Sequence, residues 1–123
     1  MSKKILIVDD EPNIVMSLEF LMKKEGFEVA TATDGEQALA QVAAFSPDLL
    51  LLDVMMPKKS GFEVCEALRA DPAQGGLLIV MLTAKGRETE VAKGLAIGAD
   101  AYVTKPFSTK DLVARVRQML GLA

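Results

Sequence analysis

Apolar residues fall in short unbroken runs along this chain, and each run stops at a polar or charged side chain. Residues 4–8 read as a strand whose apolar part, Ile5 to Val8, ends in Asp9, Asp10 and Glu11. Four leucines, Leu49 to Leu52, end in Asp53, and Pro57 closes the segment beyond. Runs this short and this apolar predict strands buried on both faces, as in a parallel sheet. Further strands are expected at 27–32, 77–82 and 101–104, followed by Thr83 and Ala84 in one case and by Lys105 and Pro106 in another. Between strands the apolar period becomes that of a helix. Ile14, Leu18, Leu21 and Met22 follow Pro12, a residue tolerated in a first helical turn, and Gly26 is a ready C-terminal cap. Asp34 and Gly35 are expected as a turn, with Asp34 capping a helix over Ala38, Leu39 and Val42 that stops before Pro47. Ser60 and Glu63 form a capping-box pair for a helix through Phe62, Val64, Cys65 and Leu68 that ends near Asp71 and Pro72. A helix over 87–97 is interrupted by Gly94 and closed by Gly98. Ser108 and Asp111 open the last one, with Leu112, Val116, Met119 and Leu120 as its apolar stripe. Five strands alternating with five helices predict a parallel sheet covered on both faces.

Composition narrows the chemistry. At 123 residues the chain is expected to be one domain with a sizeable core, without signal segment or membrane span, and therefore cytoplasmic. The single cysteine, Cys65, excludes an intrachain disulfide and lies in an apolar helical stretch, where packing is its expected role. A net charge of −3 gives no electrostatic case for direct nucleic-acid binding. There is no histidine, which removes histidine-ligated zinc, Ser-His-Asp and Cys-His catalysis, and any role as a histidine phosphodonor.

Taken singly, a carboxylate after a strand is a solvated residue or a helix cap. Parallel strands, however, bring Asp9, Asp10 and Asp53 together at the carboxyl edge of one sheet, where open α/β sheets place their ligands. Such carboxylates must protonate or find a cation, and all-oxygen ligation suits a hard ion such as Mg²⁺. With Thr83 and Lys105 at neighbouring strand ends, the set equips a site for phosphoryl transfer to a carboxylate. One carboxylate is the nucleophile, two hold Mg²⁺, and a hydroxyl and an ammonium bind phosphoryl oxygens.

Asp9-Asp10, Asp53 ahead of Met56, Pro57 and Gly61, Thr83-Ala84, and the run from Gly98 through Tyr102 and Lys105 to Phe107 resemble the bacterial two-component response regulator receiver domain over essentially the whole chain. The resemblance implies a flavodoxin-like, chemotaxis-regulator-like sheet of order 2-1-3-4-5 with five helices, a topology the chemotaxis member exemplifies. It implies that Asp53 accepts a phosphoryl group from a phosphohistidine of a sensor kinase or phosphotransfer protein. Asp10, Asp53 and the Met55 carbonyl would ligate Mg²⁺ (or Mn²⁺), with Asp9 acting through water. Lys105 would pair with Asp53 and then with the phosphoryl group, Thr83 would bond a phosphoryl oxygen, and Tyr102 would turn inward as Thr83 moves. The surface of the fourth helix, fifth strand and fifth helix would switch, read by a downstream protein or a linked output domain. The Lys105-Pro106 peptide is often cis in such domains.

The resemblance also implies a signalling protein that catalyses its own phosphorylation and slow autodephosphorylation without being a turnover enzyme. Residues 1–123 would be a receiver domain alone, with no output domain. A phosphorylation-dependent homodimer lies within the implied behaviour, but Ala101 stands where the winged-helix transcription factors of the family carry a second acidic residue, which argues against their particular dimer. The resemblance implies that the path of an attacking water is flanked by the residues two positions beyond Asp53 and Thr83, here Met55 and Lys85. Neither aligns that water, so slow loss of phosphate is expected.

Rival readings fit less well. A haloacid-dehalogenase-type phosphatase needs an acidic residue where this chain has Met55, and a flavin phosphate would be repelled by Asp9, Asp10 and Glu11. A receiver-like module that no longer takes phosphate would lack acceptor-site positions, and none is missing.

Overall fold

The computed structural model describes residues 2–56, 58–84, 92–93 and 95–122. Strands β1 (Lys4–Val8), β2 (Glu28–Ala32), β3 (Leu49–Asp53), β4 (Leu78–Ala84) and β5 (Ala101–Lys105) form one parallel sheet in the order β2-β1-β3-β4-β5. The helices among the described residues are α1 (Pro12–Lys24), α2 (Gly35–Phe45), α3 (Gly61–Arg69) and α4 (Thr109–Met119), with a 3-10 turn at Pro72–Gln74. The helix expected over 87–97 lies largely outside the described residues.

The two-residue period of a strand divides its side chains between the two faces of the sheet. Leu6, Val8, Leu50, Leu52 and Ile79 pack with Ala38 and Val42 of α2 and with Val64 and Leu68 of α3. Ile5, Ile7, Leu49, Leu51, Val80 and Leu82 meet Leu18 and Met22 of α1 and Leu112 and Val116 of α4. The leucines of β3 are fully buried, which explains a strand apolar at every position. Each such side chain contributes about 1.5–3 kcal/mol on removal from water.

Helix starts follow from their caps. Asp34 Oδ1 accepts from the Gln37 N–H at 2.8 Å, and Ser60 and Glu63 exchange bonds of 3.3 and 3.2 Å. The Asp111 N–H donates to Ser108 Oγ at 3.3 Å. Gly26, at φ +91°, takes the left-handed position after α1.

Two expectations need correction. Gly35 is the first residue of α2 and not part of a turn, and a Cβ there would run into Lys59. α3 ends near Asp71 as expected, with Ala70 as its C-cap, and Asp71 caps the 3-10 turn by accepting from the Ala73 N–H at 3.0 Å. β4 and β5 each run further than their apolar residues predict, since Thr83 pairs with Thr104 and Ala84 with Lys105. Cys65 is fully buried, and burial pushes its thiol upward, away from the reactive thiolate. No helix among the described residues is long and apolar enough to cross a membrane.

Candidate functional site

Strand register brings the chemistry to one edge. Val8 lies opposite Leu52, Asp53 opposite Leu82, and Lys105 opposite Ala84, so the carboxyl ends of β1, β3, β4 and β5 stand in a row. The ladder continues past the strands. Asp9 N–H donates to Ala32 O at 3.2 Å and Val54 N–H to Leu82 O at 3.1 Å, fixing the backbone on either side of the site.

Asp9, Asp10 and Asp53 present carboxylate oxygens that lie within 4.8 Å of one another. Asp9 is fully buried and Asp53 nearly so, while Asp10 is exposed. Asp9 Oδ1 accepts from the Glu11 N–H at 3.0 Å and Oδ2 from Lys105 Nζ at 2.8 Å. The same ammonium donates to Asp53 Oδ1 at 3.2 Å.

These contacts set the charges. Burial pushes the Asp53 carboxyl up and repulsion from Asp9 adds to it, so that its pKa stands at about 6 despite the opposing pull of Lys105. Burial pulls Lys105 down, but its bond to Asp9 and the negative charges of Asp53 and Asp9 outweigh this and raise it. Three carboxylates facing one ammonium leave an excess of negative charge at a largely buried edge. The donor set is all oxygen, and it fits a small divalent ion.

Thr83 adds a second polar group with bonding capacity left over at this edge. Its side chain is buried, and Oγ1 has no hydrogen-bond partner among the described residues. An unpaired buried hydroxyl costs about 1–3 kcal/mol, which a ligand oxygen would recover.

Gly61 closes the loop after β3. A Cβ there would meet the Asp53 carbonyl and Val54 Cα, and the Gly61 N–H donates to Val54 O at 2.9 Å. The loop thus folds back against the end of β3. Met55, 59% exposed, lines an open pocket of about 320 Å³ with Asp10, Asp53, Leu82 and Lys105. Tyr102 on β5 is exposed. The Lys105-Pro106 peptide is cis. Lys85 lies outside the described residues, as does the side chain of Ala84.

Two supporting residues escape a reading of the sequence. Lys58 sits in the left-handed region at φ 68°, with Nζ 3.9 Å from both Asp34 and Glu36, tying the loop to the start of α2. Arg69 Nε donates to Gly98 O at 2.8 Å and Nη2 to Asp100 Oδ2 at 2.6 Å, and that oxygen also accepts from the Ile79 N–H at 2.8 Å. This anchors the segment that leads into Tyr102 and Lys105. The Gly98-Ala-Asp run was a signal for Asp100, but nothing local pointed to its partner.

Comparison with known proteins gives one consistent result. The family described as response regulator receiver domain matches residues 5–117. The chain is 48% identical over 120 residues to the alkaline phosphatase synthesis transcriptional regulatory protein PhoP of Bacillus subtilis, covering 98% of this chain and 49% of that protein. It is 50% identical over 120 residues to the DNA-binding response regulator MtrA of Mycolicibacterium smegmatis, covering 98% and 51%. The chain therefore spans about half the length of these curated relatives. Among solved structures, the chemotaxis response regulator CheY4 of Vibrio cholerae superposes with a TM-score of 0.90 at 32% identity, covering 96% of this chain and 98% of that one.

Proposed function

The chain belongs to the response regulator receiver domain family, a family of phosphoacceptor signalling domains, and from that premise we propose that Asp53 is its phosphoacceptor. The observation that carries this reading is the shared ammonium of Lys105 between Asp9 and Asp53, beside the unpartnered Thr83 hydroxyl. The donor is a phosphohistidine of a sensor histidine kinase or of a phosphotransfer protein.

In the transfer an Asp53 carboxylate oxygen attacks phosphorus, and the phosphorus–nitrogen bond breaks with its electron pair going to the donor imidazole. Lys105 then follows the negative charge from Asp53 onto the phosphoryl oxygens, while Asp9 keeps hold of it. The Thr83 hydroxyl donates to another phosphoryl oxygen and gains the partner it lacks. Mg²⁺ or Mn²⁺, held by Asp10, Asp53 and the Met55 carbonyl with Asp9 acting through water, would neutralise charge on the transferred group. Nothing here calls for a histidine base, and the protein is a stoichiometric acceptor and not a turnover enzyme.

The signal is read on the surface of β5, α4 and the segment 87–97, where Tyr102 responds to Thr83. The relatives include transcriptional regulators by name, which supports a linked output domain or a separate downstream protein as reader. Met55 and Lys85 set a slow rate of phosphate loss.

Incubation with Mg²⁺ and acetyl phosphate, followed by intact mass, tests the assignment. Wild type should gain one phosphoryl group and Asp53→Asn none. A variant that gained the group at the wild-type rate would remove Asp53 from the role.

A further inference from the structure

Met55 places a thioether at the mouth of the acceptor pocket, and more than half of the residue's surface is in solvent. Met22 and Met81 are buried, and Met16, the other exposed methionine named among the described residues, lies on α1. The backbone beside Met55 is pinned: Val54 N–H bonds Leu82 O at 3.1 Å, and Val54 O accepts from Gly61 N–H at 2.9 Å. The side chain is flexible, but its root stays next to Asp53.

We propose that Met55 is an oxidation site through which peroxide shortens the life of the phosphorylated state. This rests on the reading of Asp53 as phosphoacceptor. The thioether sulfur attacks one peroxide oxygen to form the S–O bond, the O–O bond breaks, and the other oxygen leaves as hydroxide and takes the first oxygen's proton to become water. Sulfur gives up two electrons, peroxide is reduced, and a thiol-dependent sulfoxide reductase reverses the change.

The consequence follows from hydrogen bonding. A thioether is a weak acceptor and an apolar cover, which shields the phosphoryl group and orients no water. A sulfoxide is polar, and its oxygen accepts from water. At this position it replaces the cover with a group that holds a water near the line of attack on phosphorus, opposite the Asp53 oxygen. Oxidation therefore speeds hydrolysis, by about tenfold, below the range of general acid–base catalysis because the oxygen positions the water without taking its proton.

The experiment treats the whole chain with hydrogen peroxide, maps oxidised methionines by peptide mass, phosphorylates with acetyl phosphate and Mg²⁺, and follows decay after the donor is removed. Met55 should oxidise ahead of Met22 and Met81. The oxidised protein should lose phosphate about tenfold faster than the untreated one. Met55→Leu should show the same decay with and without peroxide, Met16→Leu should remain sensitive, and Met55→Gln should decay fast in both conditions. Slow oxidation of Met55, or equal acceleration by peroxide in wild type and Met55→Leu, overturns the proposal while leaving the acceptor assignment standing. An untreated protein that never forms the acyl phosphate overturns the acceptor assignment itself, and this proposal with it.

Discussion

Lys105 lies closer to Asp9 than to Asp53, with Nζ 2.8 Å from Asp9 Oδ2 and 3.2 Å from Asp53 Oδ1. The shorter bond goes to Asp9 and not to the proposed acceptor. Asp9 is buried and also holds the Glu11 N–H, so it serves as a fixed mount from which the ammonium can meet Asp53 either free or phosphorylated.

Asp9→Asn should therefore destabilise the metal-free protein even though it removes one of three like charges. The amide replaces one acceptor oxygen with a donor and leaves Lys105 with a single charged partner. A loss of about 1–3 kcal/mol in denaturant melts is expected, the scale of a bond to a charged group. A gain in stability would show that repulsion outweighs the mount.

Asp53 behaves in the opposite way. Its folded-state pKa of about 6 lies above the usual 3.8, so the folded protein binds the proton more tightly than the unfolded chain does. Stability of the metal-free protein should fall as pH rises from about 4 to about 6, by roughly 2–3 kcal/mol if this group acts alone. Asp53→Asn should remove that slope and be the more stable protein above pH 6. Melts across this range in the presence of a chelator make the comparison, and parallel wild-type and variant curves would contradict it.

Divalent cation should reverse the strain. Saturating Mg²⁺ at a hundredfold excess over Kd stabilises the folded state by about 2.7 kcal/mol through mass action. Asp10→Asn and Asp53→Asn each remove a ligand from the cluster and should gain much less. Equal shifts of Tm in all three proteins would argue against a metal site at these carboxylates.

Much of this was legible from residue pattern because strand ends carry it. A strand apolar at every position has to be central, and its terminal carboxylate, Asp53, then has to sit at a sheet edge. Caps were equally readable, since Asp34, Ser60 and Ser108 act within a few residues of themselves. Long-range partners were not. Arg69 finds Asp100 across 31 positions, and Lys58 finds Asp34 and Glu36 only after the loop folds over α2. Gly35 was misplaced because its reason for being glycine is the approach of Lys59, a tertiary contact that local turn chemistry imitates. The precedence of Asp9 over Asp53 in holding Lys105 depends on differences of a few tenths of an ångström, which no residue pattern records.

Thr83 carries the last prediction. Its hydroxyl is buried with no hydrogen-bond partner among the described residues, whereas Tyr102, across the β4–β5 pair, is 43% exposed. An unpartnered hydroxyl is a cost to the resting protein, and on the proposed phosphorylation of Asp53 it should become a donor with an acceptor to reach. Thr83→Val keeps the branched shape and removes the orphan, so it should raise resting stability by about 1 kcal/mol. The same change should leave Asp53 able to take phosphate but remove the attraction that draws residue 83 inward. Tyr102 would then stay outside, since a bias of a few kcal/mol between two positions needs a group that binds one of them better. NMR shifts of Tyr102 and its β5 neighbours, compared before and after phosphorylation, distinguish the cases. A large shift is expected in wild type and little in Thr83→Val. The same shift in both would mean that the phosphoryl charge reaches Tyr102 without the Thr83 hydroxyl.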